Sequence, residues 1–235
     1  MKKYLFLSLF LINSVFIFGQ NNQDKTVERA DLTNFSKVLI ELAADVYIRQ
    51  ADSFRCQIEG SERNLENMKA TVKDGELSIY RREKHNFLGG IERLIIIIEA
   101  PNFERLEFSG VGKVTLENKL TGKNLQIEVN GPVNATLDSV DYQHIDIILN
   151  GIGTISIGGK AVSTRLEMNG TGWIDAYHLW TETANCETSG IGNISCNVRD
   201  ELIARVSGIG GIRYRGEPKS LRKSVSGIGR VVNRN

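Results

Sequence analysis

Proline, cysteine and histidine are all scarce in this 235-residue chain, at three residues each. The cysteines, Cys56, Cys186 and Cys196, are too few for a disulfide framework. Their odd number leaves at least one unpaired in a monomer, and no CxxC spacing suggests a metal or redox site. His85, His144 and His178 are scattered, with no recurring aspartate pair beside any of them. Neither a metal centre nor a general base is indicated, and no cofactor is expected. An excess of one charge is missing too: 29 Lys and Arg stand against 28 Asp and Glu, which removes the global basic bias of a nucleic-acid binder. Beyond the first 20 residues there is no long apolar run. LIIIIEA, Leu94 to Ala100, is strand-sized and far below the roughly 20 residues of a membrane span. Disorder is excluded by a content that is 41% hydrophobic and 24% charged, enough apolar surface for a packed core.

The first residues, MKK followed by YLFLSLFLINSVFIFG, put two lysines before an apolar run of about 16 residues, the shape of a secretory signal peptide. The expectation is a signal peptide over 1–19, a flexible N-terminus over 20–30, and a mature chain exported to the periplasm or cell surface with no transmembrane segment. No cysteine stands at the end of the run for lipid attachment.

Glycine is abundant, at 23 residues, and it is placed systematically. SGIGNI (189–194) has relatives in SGVGKV (109–114), NGPVNA (130–135), NGIGTI (150–155), NGTGWI (169–174), SGIGGI (207–212) and SGIGRV (226–231). Their opening residues, Ser109, Asn130, Asn150, Asn169, Ser189, Ser207 and Ser226, fall 18 to 21 positions apart. A period near 20 means stacked units, each burying its apolar face on its neighbours. Aligned on those residues, the position before the motif holds Phe108, Val129, Leu149, Met168, Thr188, Val206 and Val225. The position five after holds Val114, Ala135, Ile155, Ile174, Ile194, Ile212 and Val231. Apolar columns at period two on both sides of the glycines mark half-buried strands.

Each unit therefore predicts a strand, a glycine corner, a second strand and a variable polar return such as NKLTGKN or GGKAVST. The fold class is all-β: a right-handed parallel β-helix or β-solenoid with about 20 residues per coil and an N-terminal β-rich cap. The cap and first coils cover 31–108 and the regular coils 109–235, as one continuous domain over 31–235. The structural corner residues are Gly110, Gly112, Gly131, Gly151, Gly153, Gly170, Gly172, Gly190, Gly192, Gly208, Gly210, Gly227 and Gly229, where a Cβ would strike the next coil. The Ser or Asn before them suits a stacked polar ladder. Cys186 and Cys196 fall in apolar columns, which favours packing over a bond between them. In the cap, KVLIELAADVYIRQ is a worn first coil, with Ala43 and Ala44 where Ser and Gly later stand. Asp74-Gly75 marks a hairpin, and Asn64 to Ala70 suits one helical turn. The last coil is thinly capped and leaves an edge open to another chain, so a homo-oligomer is one expected assembly.

Chemistry is harder to find. The GxG copies lack the third glycine and the following helix of a dinucleotide fingerprint, and they lack the aspartate of calcium-binding nonapeptides. Glu107, Glu128, Glu167 and Glu187 form an acidic column two before the motif. Arg105 and Arg165 lie in the column beside it, so a salt-bridged face is favoured over a cation site. The threonines six after the motif break after two rungs, too few for an ice-binding face. No paired carboxylates support a glycosidase, and no enzyme is expected. Two surfaces suit binding. Trp173, Tyr177, His178 and Trp180 gather within one coil, with Trp173, Tyr177 and Trp180 the candidate contacts for a glycan or protein. From Glu201 onward there are eight Lys or Arg and two Asp or Glu, a basic end suited to an anionic glycan or lipid headgroup.

The signal peptide, FSKVLIELAADVYIRQ, the hairpin around KDGELSIY, RLIIIIEAPNFERLEFSGVGKV and the run of SGIGNI-like units together resemble the head GIN domain family over roughly 30–232. The order of these segments carries the likeness, and no one motif does. The resemblance implies an exported β-solenoid with an adhesin's role and no catalytic residues. Family members with a lipid-attachment cysteine differ from this chain at the end of the leader. An adhesin-like module contacting a glycan or an envelope protein is the first functional expectation. A structural envelope protein assembling through its solenoid ends is the second, and a polysaccharide-acting enzyme the third.

Overall fold

The computed structural model describes residues 24–82 and 93–235. The expected signal peptide over 1–19 and His85 lie outside these residues. The elements in chain order are β1 (Asp24–Glu28), β2 (Lys37–Ile40), β3 (Ala43–Gln50), β4 (Arg55–Ser61), α1 (Glu62–Glu66), β5 (Met68–Lys73), β6 (Glu76–Arg81), β7 (Leu94–Ala100), β8 (Arg105–Phe108) and β9 (Val111–Leu116). They continue as β10 (Leu120–Val129), β11 (Pro132–Leu149), β12 (Ile152–Met168), β13 (Thr171–Thr188), β14 (Ile191–Val206), β15 (Ile209–Arg215), β16 (Ser220–Val225) and β17 (Ile228–Asn233). The fold is a β-solenoid of about six turns with roughly 20 residues per turn.

The apolar columns of the sequence are the hydrogen-bonded ladders of the structure. Phe108 stacks on Val129, and Leu149, Met168, Thr188, Val206 and Val225 continue the column in parallel register. On the other wall Val114, Ala135, Ile155, Ile174, Ile194, Ile212 and Val231 do the same. Ile127, Ile147, Leu166, Ile155, Ile174 and Ile194 are fully buried, each removing apolar surface worth about 1.5–3 kcal/mol. Thr188 is a weak rung, because its buried hydroxyl finds no partner between Met168 and Val206. Cys186 sits between Leu166 and Ala204, and Cys196 between Ala176 and Tyr214. Both are free and buried, as the packing expectation requires.

Four expectations need correction. The polar returns are strand rather than loop: β11, β12, β13 and β14 run from one motif to the next, broken only at the Xaa-Gly pair. Coils of near-equal length stack in register, so even a polar return finds backbone partners above and below it. The segment over 20–30 is ordered from Asp24, where β1 pairs antiparallel with β4. The helical turn occupies Glu62–Glu66 rather than Asn64 to Ala70, since Met68–Lys73 is claimed by the hairpin through Asp74 and Gly75, both at positive φ. Finally, Ile40 stacks on Phe108 and Ala43 on Val111. Ala43 and Ala44 thus align with Val111 and Gly112, and Glu41-Leu42 occupies the Ser-Gly position.

The cap has a topology that the repeat does not announce. β2 and β3 are flanked on one side by β8 and β9, and on the other by β6 and β7. The first coil is therefore an inner layer. The chain leaves it at Gln50, builds the layer beyond, and returns at Arg105. β4 and β5 then pair antiparallel with β7 and β6, and β1 with β4, which ends the parallel stack. Tyr142 ties the cap to the coils, its hydroxyl donating to the Phe103 carbonyl at 3.0 Å.

Candidate binding faces

The corner motif fixes three lines along the solenoid. At Gly190 a Cβ would lie 1.9 Å from the Gly170 carbonyl oxygen, and at Gly192, whose φ is +143°, 1.8 Å from that of Gly172. A side chain at either of these two positions would strike the backbone of the coil before it. Before the glycines the expected polar ladder is present. Asn150 donates to Asn130 Oδ1 at 2.9 Å, Asn169 to Asn150 Oδ1 at 3.0 Å, and Ser189 to Asn169 Oδ1 at 2.8 Å. Between the glycines a residue points outward, and this line escaped the sequence reading. Ile152, Ile191, Ile209 and Ile228 are 62%, 54%, 51% and 76% exposed. With Pro132 and Thr171 they stack as one ridge. Its signal was present, since an isoleucine recurs between two glycines that leave it nothing to pack against.

The aromatics of β13 lie on the flank following that corner. Trp173 is 37% exposed and Trp180 40%. Trp173 Nε1 donates to Ser195 Oγ at 3.0 Å and so lies over the next coil. Each ring carries a guanidinium: Arg213 is 5.0 Å from the Trp173 centroid, Arg215 is 4.4 Å from Tyr177, and Arg199 is 5.0 Å from Trp180. Trp173 and Tyr177 share one outward row with Asp175. Leu179 turns inward between Tyr177 and Trp180, so Trp180 lies round the bend. The sequence cluster therefore divides into a row holding Trp173 and Tyr177 and a separate position for Trp180, and is not one platform. His178 is exposed beside them.

A concavity lies elsewhere on the wall, and the sequence pattern gives no sign of it. Two outward columns, Asn124, His144, Ser163, Thr183, Glu201 and Gln126, Asp146, Arg165, Asn185, Ile203, run in register through β10 to β14. They flank a groove of about 600 Å³ parallel to the solenoid axis. His144 Nδ1 and Ser163 Oγ are 2.7 Å apart, and Arg165 reaches Asp146 at 3.4 Å. Burial holds the Asp146 carboxyl above the ordinary aspartate range, with Arg165 pulling the other way. Alternation in the sequence tells which residues face out. The bend that makes two outward columns concave leaves no such mark.

The acidic column is threaded by arginines. Arg105 bridges Glu107 at 2.6 Å and Glu128 at 3.2 Å, and Arg165 bonds Glu167 as well as Asp146. Burial, more than any neighbouring charge, raises the Glu107 carboxyl. The salt-bridged face expected of these columns is what forms.

Residues 34–218 match the family described as "Putative auto-transporter adhesin, head GIN domain". Among solved structures, a crystal structure of a putative adhesin from Bacteroides fragilis is 27% identical, covers 91% of this chain and 98% of its own, and superposes with a TM-score of 0.87. A putative lipid binding protein from Parabacteroides distasonis is 19% identical over 92% and 98%, at a TM-score of 0.72. A putative adhesin from Parabacteroides merdae is 18% identical over 92% and 98%, at 0.64. The last two show the fold alone. No curated protein matches the chain.

Proposed function

We propose that this chain, which belongs to the head GIN domain family, is an exported, non-enzymatic adhesin-like module that holds an extended glycan in its axial groove. The family and two of the three structural neighbours described above carry the name putative adhesin. The leader-like residues over 1–19 support export, and among the described residues no helix is long and apolar enough to cross a membrane.

The groove is the observation that carries the glycan. Its walls present Asn124, Gln126, Ser163, Thr183 and Asn185, side chains that donate, accept or do both. Sugar hydroxyls also do both, and rungs repeating about every 4.8 Å suit a chain lying along the axis. Lacking an aromatic floor, the site binds each sugar weakly and relies on length or on several copies for strength.

A glycan array followed by calorimetry on a retained ligand tests this reading. Thr183→Val with Asn185→Ala removes both sides of one rung. Loss of about tenfold in affinity, the effect of one or two net hydrogen bonds, is expected, with Trp180→Ala unchanged. An array on which nothing is retained, or a ligand indifferent to the double substitution, removes the groove as the site.

A further inference from the structure

The last coils carry a surface unlike the rest of the solenoid. Ile191, Ile209 and Ile228 are the exposed ridge there, and Ile228 is the most exposed large apolar residue described. Beside the ridge lie Trp173 and Tyr177, with Arg213 and Arg215 stacked on their rings. Arg230 and Arg234 follow in β17 and just beyond it. Among the described residues none of these four arginines has an ion-pair partner, whereas Arg199 and Arg222 are paired with Asp200 and Glu201. Gly211 stands in the outward column that runs from Trp173 through Asn193 to Arg230. A dent of about 360 Å³ lies there between Arg213 and Arg230, with Ile228 on its rim.

Charge on the other flank of the ridge changes in the same place. The acidic column of Glu107, Glu128, Glu167 and Glu187 ends there, and Arg205 and Ser224 take the next two positions. From Glu201 onward only Glu201 and Glu217 are acidic. Asp175, the one carboxylate in the row of Trp173 and Tyr177, accepts the Tyr177 backbone N–H at 3.2 Å.

We propose that this end of the solenoid docks on an anionic lipid surface, with Ile209 and Ile228 entering the acyl boundary and Arg213, Arg215, Arg230 and Arg234 meeting headgroup phosphates. Exposed aliphatic residues in a protruding line, aromatic rings behind them and unpaired arginines beside them make the order of groups that a membrane interface presents in reverse. An acidic polysaccharide would account for the arginines and rings, but it gains nothing from branched aliphatic side chains held in water. The dent between Arg213 and Arg230 is a place for one phosphate, and guanidinium groups are suited to that anion.

The test is flotation of the full chain with phosphatidylcholine vesicles, with and without phosphatidylglycerol. The expected result is recovery with the anionic vesicles only, release at high salt, and a blue shift of tryptophan emission on binding. Arg213→Gln with Arg230→Gln should lower partition by about fivefold for each arginine removed. Ile209→Ser with Ile228→Ser should lower it at least about tenfold. These side chains are exposed or half-buried, so unchanged thermal melts are expected. Partition unaltered in both pairs means that the leader or another face binds, and it overturns the proposal. So does failure to bind anionic vesicles. Binding to a soluble acidic polysaccharide that is lost with the arginines and kept without the isoleucines, in a protein that ignores vesicles, makes this a glycan site instead.

Discussion

The carbonyl oxygen of Gly170 lies 1.9 Å from the point that a Cβ on Gly190 would occupy. An alanine there must push two coils apart along the axis, against hydrogen bonds such as Ile191 N to Gly170 O at 2.9 Å. Gly190→Ala is expected to cost ~3 kcal/mol or more, the upper range for overpacking. Gly75, at φ +74° with nothing within 4 Å of a Cβ, pays only for its backbone region, about 1–2 kcal/mol. Denaturant unfolding of the two variants should separate them clearly. Equal losses would mean that the corner yields and that close approach is not its constraint.

All three thiols are buried, and burial pushes the Cys56 thiol up to about 12. A thiolate is the reactive form. The native protein is therefore expected to react with none of its cysteines on the time scale of minutes, and with all three once unfolded in guanidinium. A thiol assay that finds only one after unfolding would reveal a bond between Cys186 and Cys196.

Lys223 stands where Leu106, Ile127, Ile147 and Leu166 stand in earlier coils, its ammonium 5.3 Å from the Tyr214 ring. A charge at the end of an apolar column discourages another strand from adding there. Lys223→Val is expected to give larger species as concentration rises in sedimentation velocity, while the unmodified chain keeps its distribution. A chain that associates with Lys223 in place would favour assembly through the solenoid end.

Asp200 receives hydrogen bonds from Arg199 and Lys219, which hold its carboxyl down to about 2. A depressed carboxyl stabilises the fold above its unfolded value of roughly 3.9 and loses that contribution as pH falls through the folded value. The melting temperature of Asp200→Asn should therefore sit below that of the parent at neutral pH and converge with it near pH 2. Because Asp200 is only half-buried and its partners Arg199 and Lys219 are exposed, the gap should be small.

The regular coils were legible because one physical rule repeats: an inward residue at one position must be apolar in every copy, so Ile155, Ile174 and Ile194 announce their own stacking. The polar ladder and the crowding at the glycines follow from the same repetition. What the sequence hides is anything made by departing from the repeat. Glu41 and Leu42 carry none of the corner's letters, so the first coil was aligned two residues too late. The groove depends on how the wall bends between Gln126 and Asn124, and no residue type encodes that bend. The exposed isoleucines are written in the sequence, but an apolar residue close to core columns carries no mark that distinguishes it from the core. The aromatics were found by composition alone. That Trp173 and Tyr177 share a row while Trp180 does not depends on the inward turn at Leu179.

The inner position of β2 and β3 bears on the order in which the molecule assembles. In the regular coils a strand finds its neighbour about 20 residues away, whereas Ile40 pairs with Ile79 on one side and with Phe108, 68 residues later, on the other. Longer closures cost more chain entropy and slow the search. The coils from Val111 onward are accordingly expected to zip first, and the segment that is earliest in the chain becomes a late-closing layer. A nascent chain that has not yet reached Phe108 would hold one edge of β2 without its partner, and it is at that stage that the protein is most open to mispairing.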